Sequence, residues 1–93
     1  MKQLWRRVNG ERWRSKDYLG LIKKWRTPEQ PEPTHLAPDQ PPMTDGRGDM
    51  LVYAVTERGE FWSYYLLRMA DRYILHCEPT PPGQLAPAPV PTP

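Results

Sequence analysis

The chain has 93 residues, 13 of them proline, with a single cysteine and a formal net charge of +2. This length limits the protein to one domain at most, and one cysteine excludes an internal disulfide and is typical of a reducing compartment. No signal peptide is predicted, and charged side chains interrupt every apolar run before it reaches the length of a membrane span. We therefore expect a small cytoplasmic protein.

The formal charge is divided unevenly along the chain. Residues 1–26 carry nine Lys or Arg side chains against two acidic ones, which is +7. Residues 27–93 carry four against nine, which is −5. A basic arm followed by an acidic remainder is typical of proteins that bind a polyanion or an acidic protein surface.

The first part of this basic arm, residues 4–15, fits two local structures. Asn9-Gly10 is a strong signal for a two-residue β-hairpin turn, because both residues tolerate positive φ. We prefer this hairpin, which places Arg7 opposite Arg12. The alternative is a short helix that ends at the glycine.

The second part of the arm, residues 15–26, is predicted to be a helix over about 16–26. Ser15 suits the N-cap position, and Pro28 prevents the helix from continuing. Apolar residues recur at spacings of three and four, which places them on one stripe of the helix. The stripe consists of Tyr18, Leu21, Ile22 and Trp25.

Two proline-rich segments flank the most apolar part of the chain. Residues 27–48 hold six prolines and are predicted to be a linker, because this density favours extended polyproline II over a packed core. Residues 79–93 hold the other seven prolines. They are predicted to be a disordered tail.

The core is predicted to form within residues 49–78, since the stretch 50–77 is rich in apolar residues and free of proline. Residues 51–57 are predicted to be a strand, because they are mainly β-branched and aromatic, and Gly59 supplies the following turn. Residues 61–77 then fit either two further strands, with a turn near 70–71, or one amphipathic helix. We prefer the strands, since the first strand needs a partner.

The predicted fold is therefore a small α+β unit, in which one N-terminal helix covers a three-stranded antiparallel meander. Both faces of the meander carry apolar side chains, and one helix can cover only one face. We thus expect the other face to be an interface, in a homo-oligomer or with an obligate protein partner. The predicted interface residues, of which the first four are expected to share one face, are Tyr53, Val55, Trp62, Tyr64 and Leu66.

Patterns typical of catalysis or metal binding are scarce. The sequence has two histidines and one cysteine, and it lacks a glycine-rich phosphate loop, a Cys-x-x-Cys pair and a His-x-x-x-His pair. His76 and Cys77 are adjacent, so on a strand their side chains point to opposite faces and cannot act together as base and nucleophile. We expect no enzymatic activity, no cofactor and no metal site.

The basic arm carries the clearest functional signal. Nucleic-acid-binding proteins use Lys and Arg for phosphates and aromatic rings for stacking on unpaired bases, and the arm combines both kinds of residue. The sequence therefore predicts a small accessory protein that binds nucleic acid. The predicted contact residues are Trp5 and Trp13 for stacking, with Arg6, Arg7, Arg12, Arg14, Lys23, Lys24 and Arg26 for phosphates.

Three other interpretations fit the same residues. The arm can bind an acidic protein surface in place of a nucleic acid. Its tryptophans can cover the central sheet while its cations are merely solvated. Finally, the protein can be an interaction module, an adaptor or inhibitor, that acts through the exposed apolar sheet face and the proline-rich segments.

Overall fold

The structure of the chain, a computed structural model, describes residues 5–8 and 14–81. This part of the chain contains one helix, α1 (Ser15–Trp25), and six strands. A small α+β fold with an N-terminal helix is thus confirmed. The strands are β1 (Arg6–Arg7), β2 (Pro33–Leu36), β3 (Met43–Thr44), β4 (Met50–Thr56), β5 (Phe61–Met69) and β6 (Arg72–Pro79).

The six strands form one antiparallel sheet, in which β3, β4, β5 and β6 lie side by side. β1 extends the sheet beyond β3. Because β5 occupies one edge of β4, β2 and β3 share the other edge. The meander β4–β5–β6 confirms the predicted core and excludes the helix that residues 61–77 also fitted.

Two turns with positive φ set the register of this meander. Gly59 has φ 80° between β4 and β5, and its N–H donates to the Thr56 carbonyl at 2.8 Å. Ala70 has φ 58° in the β5–β6 turn, a conformation that residues with a Cβ adopt infrequently. This turn lies at the predicted position and sets Leu66 opposite Leu75.

The segment predicted to be a linker contributes β2 and β3 to the sheet. The structure thereby corrects the expectation that residues 27–48 lie outside the core, since Leu36, Ala37 and Pro42 are buried. Pro33 is compatible with the sheet because it is the first residue of β2, which has β4 as its one partner among the described strands. Prolines are tolerated at such edge positions.

The helix agrees with the predicted one to within a residue at each end. Ser15 is its first helical residue, so the cap position belongs to Arg14, which makes no capping side-chain hydrogen bond. The helix ends where the Arg26 N–H donates to the Ile22 carbonyl at 2.9 Å. In the described part of the chain, this helix of 11 residues is too short to cross a membrane.

Two predictions fall wholly or partly outside the described residues. The Asn9-Gly10 turn and Arg12 belong to the predicted hairpin and are not described, so the hairpin stays a prediction. The part of its first strand that the structure describes, Arg6–Arg7, pairs with β3. Residues 82–93 of the predicted tail also lie outside the described part.

The sheet divides the core into two clusters. α1 lies across one face, in contact with β2 and β6, and the fully buried Ile22 packs there among side chains of β4, β5 and β6. The cluster on the opposite face includes Leu51, Tyr53 and Val55, with Trp5 of the arm packed against it. Each face of the sheet is therefore covered in part by the N-terminal arm.

The register corrects the predicted distribution of side chains between these faces. Val52 lies opposite Tyr64 and Tyr53 lies opposite Ser63, and residues directly opposite in an antiparallel pair share a face. Tyr64 thus lies on the helix side, and the side chain of Tyr53 points to the other side. A shift of one residue in register exchanges the two faces, and this is the error in the predicted pairing.

Candidate nucleic-acid interface

Cationic side chains of the arm lie exposed on two elements of the fold. β1 presents two arginines at the end of the sheet, and α1 presents lysines away from its buried side. Seven residues make nearly two turns of a helix, so Lys16 and Lys23 share one side of α1. Lys16 was not among the predicted contact residues. The exposed cations are Arg6, Arg7, Arg14, Lys16, Lys23 and Lys24.

These exposed cations are not neutralised by the described part of the protein. No described carboxylate lies within ion-pair distance of them. Lys24 Nζ lies 5.2 Å from the ring centroid of Trp25, which is a cation–π contact that leaves its charge in place. Arg12, also a predicted phosphate contact, lies outside the described residues. The described cations of β1 and α1 are thus exposed charges that a polyanion can contact.

Among the predicted phosphate contacts that the structure describes, Arg26 differs from the others because its guanidinium is hydrogen-bonded within the protein. Nη2 donates to Glu32 Oε1 at 2.9 Å, in an ion pair whose side chains are 24% and 53% exposed. Nη1 donates to the carbonyls of Gln30 at 2.8 Å and Thr27 at 3.3 Å. Arg26 therefore holds together the loop between α1 and β2.

We expect Arg26→Ala to lower the free energy of unfolding by about 1–2 kcal/mol, because it removes charge-assisted hydrogen bonds from a partly buried site. The change should leave oligonucleotide affinity within about twofold of wild type, since one phosphate contact would contribute a larger, salt-dependent effect. Urea unfolding and oligonucleotide titration check the two expectations. A large loss of affinity with unchanged stability would contradict this assignment.

The tryptophans of the arm that the structure describes are packed against the sheet. Trp5 is half-buried, and its ring centroid lies 6.5 Å from that of Tyr65, with the rings tilted by 53°. Trp25 meets Tyr73 edge-on at 6.4 Å. Because the Trp5 ring is engaged in this way, the geometry favours the interpretation in which it covers the sheet. Trp13 lies outside the described residues.

The predicted protein-interface residues are placed mainly in the core. Tyr64 and Leu66 are fully buried on the helix side, and Tyr53 and Val55 are buried on the opposite side. Trp62 is half-buried, and its Nε1 donates to Glu60 at 3.3 Å. These five residues do not form one exposed apolar face.

A different set of apolar side chains is exposed. Phe61 is 39% exposed, Met69 52% and Ile74 37%. Odd-numbered residues of β5 and even-numbered residues of β6 share the face opposite α1, so all three point to that side. The two-residue turn at 70–71 contained this information, because it fixes which residues of the two strands lie opposite each other.

A second surface feature is an acidic cleft, which is lined by none of the exposed cations of α1 and β1. It has a volume of about 470 Å³ and separates the α1–β2 loop from the β4–β5 turn, with Trp62 among its lining residues. Its carboxylates outnumber its two arginines, one of which is the ion-paired Arg26. The cleft is therefore an unsuitable site for phosphate. The carboxylates belong to Glu29, Glu32, Glu57 and Glu60.

The adjacent histidine and cysteine of β6 have no geometry for nucleophilic catalysis. His76 is exposed on the face opposite α1, whereas Cys77 packs against the helix-side cluster. Burial raises the pKa of the Cys77 thiol above its ordinary value. Because the thiolate is the reactive form, this environment makes Cys77 a poor nucleophile.

Comparison with known proteins adds no constraint on function. No family model, curated protein or solved structure matches this chain. The function is therefore inferred from the charges and contacts of the chain itself.

Proposed function

We propose that this protein is a small, non-enzymatic accessory protein of the cytoplasm that binds nucleic acid through the exposed cations of its N-terminal arm. The observation that supports this most directly is the set of exposed arm cations, none of which has a described carboxylate within ion-pair distance. In a charged segment that is merely solvated, basic and acidic residues are expected to alternate, whereas residues 1–26 carry a net charge of +7.

The proposed mode of binding is contact with phosphates. The rings of Trp5 and Trp25 pack against tyrosines of the sheet, so the described part of the arm offers cations without a free stacking ring. Phosphate contacts position a nucleic acid without reading its bases. We therefore expect weak sequence preference and an affinity that falls steeply as salt is added.

The test is a titration of a labelled oligonucleotide with the wild-type protein and with the double variant Lys23→Ala/Lys24→Ala. Binding is monitored by fluorescence anisotropy at a range of salt concentrations. Both lysines are exposed on the last turn of α1. If each contacts one phosphate, the slope of log K against log salt should become shallower by roughly 0.9 per lysine. Affinity at low salt should fall about tenfold or more.

A matched control removes the same charge elsewhere. Arg47 and Arg58 are exposed arginines outside the arm, and Arg47→Ala/Arg58→Ala should leave the salt slope unchanged. Equal losses of affinity in the two double variants would show that net charge alone attracts the oligonucleotide. An unchanged slope in the lysine variant would contradict the proposal.

A second candidate function is a protein-interaction module, an adaptor or inhibitor. The specific observation in its favour is the exposure of Phe61, Met69 and Ile74 on the face opposite α1, since exposed apolar side chains on one face often mark an interface. Under this alternative, neither double variant changes complex formation with the protein partner. The predicted homo-oligomer or obligate complex stays a prediction.

A further inference from the structure

β6 is the last strand of the sheet among the strands that the structure describes, so one of its edges pairs with β5 and the other faces away from them. The Thr80 N–H donates to the Phe61 carbonyl at 2.9 Å, which makes residues 61 and 80 a hydrogen-bonded pair. Such pairs alternate along an antiparallel ladder. The backbone N–H and C=O groups that point away from β5 are consequently those of Tyr73, Leu75 and Cys77.

An outward edge of this kind is a template for another strand, and here its middle is occupied by a side chain. Gln30 Nε2, from the α1–β2 loop, donates to the Leu75 carbonyl at 2.8 Å. The same side chain is fixed at its other atom, because Gln30 Oε1 accepts the Thr27 N–H at 2.8 Å. The Gln30 amide is therefore held in place over the centre of the edge.

We propose that the outward edge of β6 is a self-association surface for a second copy of this chain, and that Gln30 holds it closed. The sequence of β6 is self-complementary about Leu75. In an antiparallel pair centred there, Arg72 lies opposite Glu78 of the second copy, and both side chains are exposed on the same face. Opposite charges directly across a pair stabilise it.

The position of Gln30 explains why one amide can close the whole edge. Antiparallel pairs centred on Ile74, Leu75 or His76 all use the outward backbone groups of Leu75. A donor that already occupies the Leu75 carbonyl competes with each of these registers. A two-fold axis relates the two copies, and such an arrangement is closed. Release of the edge therefore produces dimers and does not produce larger assemblies.

The test is sedimentation or light scattering of the full chain without nucleic acid, so its outcome is independent of the proposed function. We expect Gln30→Ala to dimerise at least tenfold more tightly than the wild-type chain. Gln30→Glu is the matched variant, because its carboxylate still accepts the Thr27 N–H and cannot donate to Leu75. At physiological salt Gln30→Glu should also dimerise. This result would assign the effect to loss of the hydrogen bond to Leu75, since the hydrogen bond from Thr27 is kept.

Charge reversal then identifies the surface. In the Gln30→Ala background, Arg72→Glu should weaken the dimer about tenfold or more, and the addition of Glu78→Arg should restore it. The proposal is overturned if Gln30→Ala stays monomeric, if the wild-type chain dimerises as tightly, or if the second reversal fails to restore association. It is also overturned if Gln30→Ala dimerises and Gln30→Glu does not. Circular dichroism confirms that each variant is folded.

Discussion

Replacement of Ile22 by alanine is expected to lower the free energy of unfolding by about 2–5 kcal/mol, the range for truncation of a buried aliphatic side chain. Ile22 is 0% exposed and is the buried residue of α1. It packs with Val52, Tyr64 and Leu66 in the helix-side cluster, so truncation leaves a cavity between helix and sheet. Because a unit of this size is only marginally stable, the variant should be largely unfolded or close to it.

Urea unfolding followed by circular dichroism measures this loss, and Lys16→Ala is the control on the same helix. Lys16 is exposed, and substitutions at such positions usually change stability by less than about 0.5 kcal/mol. Equal losses for Ile22→Ala and Lys16→Ala would show that α1 does not pack on the sheet in solution. A stable Ile22→Ala variant would show that the core is held mainly by the meander.

The helix and the meander could be predicted because their signals are local. Apolar spacing over residues 18–25 defines the buried side of α1, and the β-branched and aromatic run from Leu51 defines β4. The turn at Gly59 follows from the preference of glycine for positive φ. Each of these features is contained in a few consecutive residues.

The strands β2 and β3 could not be predicted because their pairing is non-local. Their proline-rich segment has weak strand propensity, and β4 supplies the hydrogen-bonding partner from a different part of the sequence. The Thr34 hydroxyl, which donates to the Val55 carbonyl at 3.0 Å, reinforces that pairing. The proline content of residues 27–48 indicates only the average conformational preference of the segment. Its actual structure is determined by pairing with the available edge of β4.

The positive charge of the candidate site could be predicted from the sequence, but the contacts that its side chains make within the protein could not. The excess of Lys and Arg in residues 1–26 is visible in the sequence, and most of the described cations are exposed. Whether Trp5 is free to stack depends on Tyr65, which lies 60 positions later in the chain, and the role of Arg26 depends on the path of the following loop. Tertiary packing therefore determines which side chains of the arm remain available.

Tyr64→Ala is expected to have the largest effect of the substitutions considered, a loss of about 3–5 kcal/mol of unfolding free energy, because Tyr64 is the largest fully buried side chain among the described residues. Its hydroxyl donates to the Pro31 carbonyl at 2.8 Å and so fastens the α1–β2 loop to the sheet. Tyr64→Phe keeps the ring and removes only this bond. It should cost about 1–3 kcal/mol, the usual range for an unsatisfied buried polar group.

The same tyrosine makes stability depend on pH in alkaline solution. Burial, with a smaller contribution from Cys77, raises the pKa of Tyr64 above its ordinary value of 10.0, and Arg26 opposes the rise. Because the folded-state pKa is raised, the protonated hydroxyl of Tyr64 contributes fully to the free energy of unfolding below pH 10. That contribution is lost as the pH rises above 10. Urea unfolding between about pH 8 and 11 should therefore show a decline that is shallower in Tyr64→Phe. Part of the decline should persist, since burial also raises the pKa of Tyr53, and identical declines in both proteins would contradict the assignment to Tyr64.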